Sequence, residues 1–149
     1  MNSSNTPQIS AETVHASTVA IDGRAVVISG PSGAGKSDLA LRMLDRRFTL
    51  VSDDQTLVRR EGDHLIASAP PTIAGKLEVR GIGIVEMKTV SDVPVALMVE
   101  LATDFERLPD DNRERQQLGI GVPLITVDAM TASAPSKVAL ALDRLGVKF

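Results

Sequence analysis

A chain of 149 residues, 43% apolar and 23% charged, is long enough to bury one core and ordinary in composition for a globular protein. A net charge of −3 gives no electrostatic case for nucleic acid or an anionic membrane as partner, and the absence of cysteine excludes disulfides and thiolate chemistry and fits a cytoplasmic setting. No apolar run is long enough to span a bilayer, and with no Trp, no Tyr and three Phe, aromatic platforms for bases or sugars are scarce.

Residues 1–13 are polar, lack the basic and apolar segments of a secretory leader, and read as a flexible N-terminal tail ahead of a single domain over residues 14–149. Ser17 to Ile21 reads as a strand, Asp22-Gly23 as a two-residue turn, and Ala25 to Ser29 as the buried strand that returns from it. Then Gly30-Pro31-Ser32-Gly33-Ala34-Gly35-Lys36-Ser37 matches the phosphate-binding pattern G-x-x-x-x-G-K-[ST] at every fixed position. Glycines at Gly30, Gly33 and Gly35 let main-chain N–H groups, with those of Ser32, Ala34, Lys36 and Ser37, turn inward on phosphate oxygens. Lys36 can reach the terminal phosphates and the Ser37 hydroxyl can hold Mg²⁺. Asp38 to Arg47 follows as a helix, pairing Leu39 with Met43 and Ala40 with Leu44, and its N-terminus points positive at the same anion. Basic Arg46-Arg47 suits its C-terminal end.

Phe48 to Ser52 is the next strand. A strand–helix–strand unit this short predicts a right-handed crossover, so both strands end at one edge of the sheet, with the glycine loop and the pair Asp53-Asp54 side by side. One carboxylate there can hold metal and the other accept a proton; residue physics does not choose between them, and Asp-Asp is also a common turn pair. Thr56 to Arg59 and His64 to Ala67 read as a hairpin around Glu61-Gly62-Asp63, with His64 on the surface, and Pro70-Pro71 breaks regular structure. Leu77 to Met87 carries three short elements around Gly81 and Gly83, with Glu78 and Arg80 alternating onto one face, as ligands or as a solvated ion pair. Val95 to Leu101 is a buried strand. Thr103 to Gln117, including Arg107, reads as an exposed loop or short frayed helix, Val122 to Val127 as the last strand, and Pro135 to Leu145 as a helix with Val138, Ala141, Leu142 and Leu145 inward and Gly146 as its stop. His15, just before the first strand, is a lone histidine, a residue more often structural or exposed than catalytic. The class is α/β, a central mixed sheet with flanking helices.

Four segments together resemble one family. Val14-His15-Ala16, Gly30 to Ser37 continuing into Asp38-Leu39-Ala40-Leu41, Leu50-Val51-Ser52-Asp53-Asp54, and Leu77-Glu78-Val79-Arg80-Gly81-Ile82-Gly83-Ile84 are similar in order and spacing to the catalytic domain of HPr kinase/phosphorylase. The resemblance implies a P-loop catalytic domain that uses ATP and Mg²⁺ to phosphorylate a serine of the phosphocarrier protein HPr of the sugar phosphotransferase system. In many members it also removes that phosphate by attack of inorganic phosphate. It implies Lys36 as the phosphate-contacting lysine, Ser37 and Glu78 as metal ligands, and Asp54 as the residue that takes the serine proton, with Asp53 beside it. It further implies His15 as a catalytic-site histidine, though Ala16 stands where the family has glycine, Arg107 as an arginine from a mobile loop, and Arg80 in the segment serving both directions of reaction. The family assembles into rings, which implies a homo-oligomer such as a hexamer. The chain looks like a short form without the N-terminal domain. The family's arginine-rich P-x-R-P-G-R-N loop corresponds to Pro123-Leu124-Ile125-Thr126-Val127-Asp128, without arginine, so phosphorolysis is expected to be weak or absent; Asp38 replaces a glutamate. The rival readings are a small-metabolite kinase, which a deep polar pocket would favour, and a non-catalytic nucleotide-binding regulator.

Overall fold

The computed structural model describes residues 10–104 and 113–149. Its elements run β1 (Ala11–Val14), β2 (Ala16–Ile21), β3 (Arg24–Ser29), α1 (Lys36–Leu44), β4 (Thr49–Ser52), β5 (Thr56–Glu61), β6 (His64–Ser68), β7 (Lys76–Val79), β8 (Gly83–Glu86), β9 (Val93–Leu101), β10 (Glu114–Gln117), β11 (Ile120–Val127) and α2 (Ala134–Leu145). Nine strands make one mixed sheet in the order β1-β5-β6-β9-β3-β2-β4, with β11 also pairing β9 and β10 pairing β11. The strands β7 and β8 form a separate hairpin.

The central strands are apolar on both faces, as their continuous runs require. Val26, Ile28, Leu97 and Val99 face the two helices, where Leu39, Ala40 and Met43 of α1 and Val138 and Leu142 of α2 close over them. Ala25, Val27, Val95 and Met98 face the other way and meet Leu65 and Ala67 of β6. Ile28 and Leu97 are fully buried, and each such side chain is worth roughly 1.5–3 kcal/mol of burial.

Strands β2 and β3 are antiparallel, joined by Asp22 (φ 52°) and Gly23 (φ 74°), the pair of left-handed residues that matches the twist of a tight hairpin. Strand β4 is antiparallel to β2, so β3 and β4 point the same way with β2 between them. Strands β9 and β11 are parallel to β3 on its other side. The carboxyl ends of β3, β4, β9 and β11 and the start of β2 therefore meet at one edge, as the crossover argument requires.

Several expectations change. Residues 11–13, expected in a loose tail, belong to β1, which pairs with β5. Helix α1 stops at Leu44 and not near Arg47: Arg47 adopts φ 73°, its N–H returning to Leu44 O (3.2 Å) and that of Phe48 to Met43 O (3.3 Å), a left-handed C-terminal cap. Leu77 to Met87 holds two strands, not three elements; Val79 ends β7, and Arg80 falls in the turn, so Glu78 and Arg80 do not share a strand face. Glu114–Gln117, expected in a loop or helix, is strand β10. Leu145, expected inward, is exposed, while Ala134 and Pro135 are buried in its stead. Val122 to Val127, expected as the last strand, lies within β11, and the loop that follows, Asp128 to Ser133, contains no arginine.

Candidate active site

The glycine loop spans the gap between the end of β3 at Ser29 and the first turn of α1. Gly33 (φ 83°) and Gly35 (φ 99°) hold left-handed conformations, the second immediately before the helix, so the chain reverses and the first N–H groups of α1 face the loop. Gly30 has a steric reason as well, since a Cβ there would stand 3.0 Å from the Leu101 Cβ. Lys36 is 6% exposed, more enclosed than a ligand-facing side chain suggests. Its ammonium donates to the loop's own carbonyls, Gly30 O at 2.9 Å and Pro31 O at 3.2 Å, which keeps the charge at the mouth of the loop.

Asp53 is the hub. Its Oδ1 accepts from the hydroxyls of Ser37 (2.6 Å) and Ser17 (2.9 Å), and its Oδ2 from the Glu78 N–H (3.1 Å). One buried carboxylate thus joins α1, β2 and β7, and three donors compensate the loss of water around its charge. Ser17 carried no signal in the sequence; it is recognisable only once β2 is placed between β3 and β4.

Asp54 has the opposite character. It adopts φ 66°, a left-handed conformation that aspartate tolerates better than most residues. The Gln55 N–H bonds to Asp53 O (2.7 Å), which tightens the bend. The bend sends the Asp53 side chain inward and that of Asp54 outward. Asp54 Oδ1 lies 2.9 Å from His15 Nε2, and the Asp54 N–H donates to Ser17 Oγ at 3.0 Å. The two side chains are 55% (His15) and 61% (Asp54) exposed, so the pair stands on an open surface beside the phosphate loop. The lone histidine thereby gains a partner at the phosphate-loop edge.

The structure brings His15, Lys36, Ser37, Asp53, Asp54 and the Glu78 main chain into one connected site. The Glu78 side chain is exposed on β7, and Arg80 is exposed in the turn of the β7–β8 hairpin. Arg107 lies outside the described residues. His64 is exposed, as expected, and packs edge-on against Phe149, with ring centroids 4.8 Å apart. Two arginines that sequence reasoning passed over also reach this edge. Arg115 of β10 donates to Ser29 Oγ (2.8 Å) and pairs with Glu100, which ties β10 to the end of β3. Arg42 of α1 donates to Ala129 O and to Thr131 O (3.2 Å), which fastens the loop after β11 to the phosphate-loop helix.

Among the described residues no three His, Cys, Asp or Glu side chains cluster as a self-sufficient metal cage. Magnesium does not need one: it is commonly held by one or two protein oxygens together with substrate phosphates. Ser37 Oγ and the Asp53 carboxylate, hard oxygens 2.6 Å apart at the loop, fit that requirement.

Comparison with known proteins identifies the family and the fold. Residues 8–141 match the family model for the HPr serine kinase C-terminal domain. The chain is 37% identical over 125 residues to the HPr kinase/phosphorylase of Chlorobium limicola, covering 74% of this chain and 38% of that protein. Against the HPr kinase/phosphorylase of Clostridium botulinum the identity is 33% over 126 residues, covering 76% of this chain and 41% of the relative. The chain thus spans about two fifths of the length of these relatives. The solved Hpr(Ser) kinase/phosphatase of Coxiella burnetii superposes with a TM-score of 0.76 at 30% identity, covering 89% of this chain and 94% of that one. Motif, fold and matched span agree, and the chain belongs to the family of the HPr serine kinase C-terminal domain.

Proposed function

We propose that this chain transfers the γ-phosphoryl group of ATP to a serine hydroxyl of an HPr-type phosphocarrier protein. The observation that carries the reading is the division of labour between adjacent aspartates beside a phosphate loop. Asp53 is buried and fully engaged in organising Ser37, while Asp54 is exposed, aimed outward and paired with His15.

The loop amides and Lys36 bind the phosphates and stabilise the charge that develops on the transferring group. Ser37 and Asp53, with Glu78 alongside, would hold Mg²⁺, which supplies neutralisation of phosphate charge when bound. Asp54 accepts the proton of the attacking serine as its oxygen bonds to the γ-phosphorus and the bridging bond to the β-phosphate breaks, releasing ADP, and His15, hydrogen-bonded to Asp54, orients that carboxylate. Arg80 and Arg107 are proposed as cationic side chains that serve the transfer, on the family resemblance. The open setting of His15 and Asp54 favours a serine presented on a protein surface over a small metabolite drawn into a deep pocket. No helix among the described residues is long and apolar enough to cross a membrane, so the reading requires no bilayer contact.

The test is incubation with labelled ATP, Mg²⁺ and a purified HPr-type carrier. Label should appear on a carrier serine and disappear when that serine is replaced by alanine. Binding of ATP without any transfer would leave the non-catalytic regulator as the better reading.

A further inference from the structure

Resting on the nucleotide-binding reading above, we propose that the loop Asp128 to Ser133 receives the base of the nucleotide, with Met130 as the surface on which the ring lies. The polarity of the site carries the argument. The sheet passes the phosphate loop in the order β4-β2-β3-β9, with β11 beyond β9, and the loop springs from β3 in the middle. The groups that handle protons and metal all lie on the β2 and β4 side: His15, Ser17, Asp53, Asp54 and the hairpin bearing Glu78. The phosphoryl group that leaves must point to that side. The nucleoside, joined to the other end of the same linear triphosphate, then extends across the ends of β9 and β11.

A fixed structure stands there. A Cβ on Gly35 would lie 3.2 Å from the Ala129 Cβ, so the loop after β11 is packed directly against the phosphate loop. Arg42 holds it from α1 through the Ala129 and Thr131 carbonyls. Asp128 holds it from within, accepting the Met130 N–H on its carboxylate (2.9 Å) and the Thr131 hydroxyl on its carbonyl (2.8 Å). What this framework displays is Met130, 80% exposed on a main chain fixed on both sides. A thioether is polarisable and makes favourable contacts with aromatic rings. The chain has neither Trp nor Tyr with which to stack a base, so a displayed methionine is a suitable substitute.

The experiment uses the full chain labelled with ¹³C at its five methionine methyls, with the Met130 signal identified by its loss in Met130→Leu. ATP and inorganic tripolyphosphate are titrated separately in the presence of Mg²⁺. ATP should shift the Met130 methyl through the ring current of the base, and tripolyphosphate should leave it in place. Met130→Ser should weaken ATP about two- to tenfold, the size of a sulfur–aromatic contact, without changing affinity for tripolyphosphate. A chain that binds both ligands with the Met130 methyl unmoved by ATP, or moved equally by tripolyphosphate, overturns this proposal alone. So does unchanged ATP affinity in Met130→Ser. A wild-type chain that binds neither ligand overturns the nucleotide reading and this proposal with it.

Discussion

Asp53→Asn removes a charge while keeping shape, and the structure allows its effect to be worked out. The carboxylate accepts three hydrogen bonds, from Ser37 Oγ, Ser17 Oγ and the Glu78 N–H. Hydrogen bonds to a charged partner contribute about 1.5–3 kcal/mol and neutral ones about 0.5–1.5 kcal/mol, so the change weakens the set by about 3 kcal/mol in total. The asparagine still fits: its oxygen faces the Glu78 N–H, and its amide donates to the two hydroxyls, which turn round and accept. For a domain of this size that loss corresponds to a fall in Tm of about 6–12 °C. The chemical effect is separate. In the native site the Ser37 proton points at Asp53, which leaves the hydroxyl's lone pairs for an incoming cation. In the variant the amide N–H takes one lone pair and the proton turns toward the metal's place. The midpoint for activation by Mg²⁺ should rise and turnover should fall. Thermal unfolding followed by circular dichroism and a kinase assay titrated with Mg²⁺ measure the two effects. A Tm within about 2 °C of wild type together with an unchanged Mg²⁺ midpoint would refute the reasoning, because a buried three-donor hub cannot lose its charge without either effect.

Lys36→Met keeps the buried stem and gives up only the bonds to Gly30 O and Pro31 O, so the fold should persist while turnover of ATP is lost; a folded variant with near wild-type activity would sink the phosphate-loop assignment. Asp54→Asn should lower turnover by about 10²–10⁴-fold with ATP still bound, the contribution of a general base. Asparagine suits the left-handed backbone at φ 66°, so an unfolded Asn variant would itself contradict the exposed, outward placement of this residue. Release of pyrophosphate from serine-phosphorylated carrier and inorganic phosphate should be much slower than the kinase reaction. Two dianions must be brought together by cations, and Pro123 to Asp128, the stretch that corresponds to the family's arginine-rich loop, offers no arginine; comparable rates in the two directions would show that such arginines are not what phosphorolysis needs.

The strong elements were legible because their sequences point one way only. The apolar runs of β3 and β9 and the periodicity of α1 leave little choice, and the glycine loop fixes what lies between β3 and α1. The strands that escaped notice, β1 with sequence AETV and β10 with ERQQ, have no buried face of their own. They are strands because β5 and β11 offer them an unpaired edge, a property of the neighbour and not of the segment. In the site, the edge shared by Lys36, Asp53 and Asp54 could be read from crossover length. The different settings of the two aspartates, one buried and one exposed, could not, because they depend on one backbone angle at Asp54 and on Ser17, which enters from a strand of opposite direction. Arg42 and Arg115 were equally silent, since Arg42 reaches Thr131, 89 residues away, and Arg115 reaches Ser29, 86 residues away.

The tight turn at Asp22 and Gly23 lies at the far end of the sheet from the phosphate loop, six residues of strand or about 20 Å away. Its length nonetheless governs the site. It fixes the pairing that runs from Ile21 opposite Arg24 to Ala16 opposite Ser29, and so decides which face of β2 carries Ser17. Because side chains alternate, one extra residue in the turn would slide β2 by one place and carry Ser17 to the opposite face of the sheet. Asp53 would lose a donor and the Asp54 N–H its acceptor, although no residue near the phosphate loop had changed. Loop length at this remote corner acts as a spacer gauge for catalytic geometry. Insertions there should be felt first as lost activity in a chain that still folds.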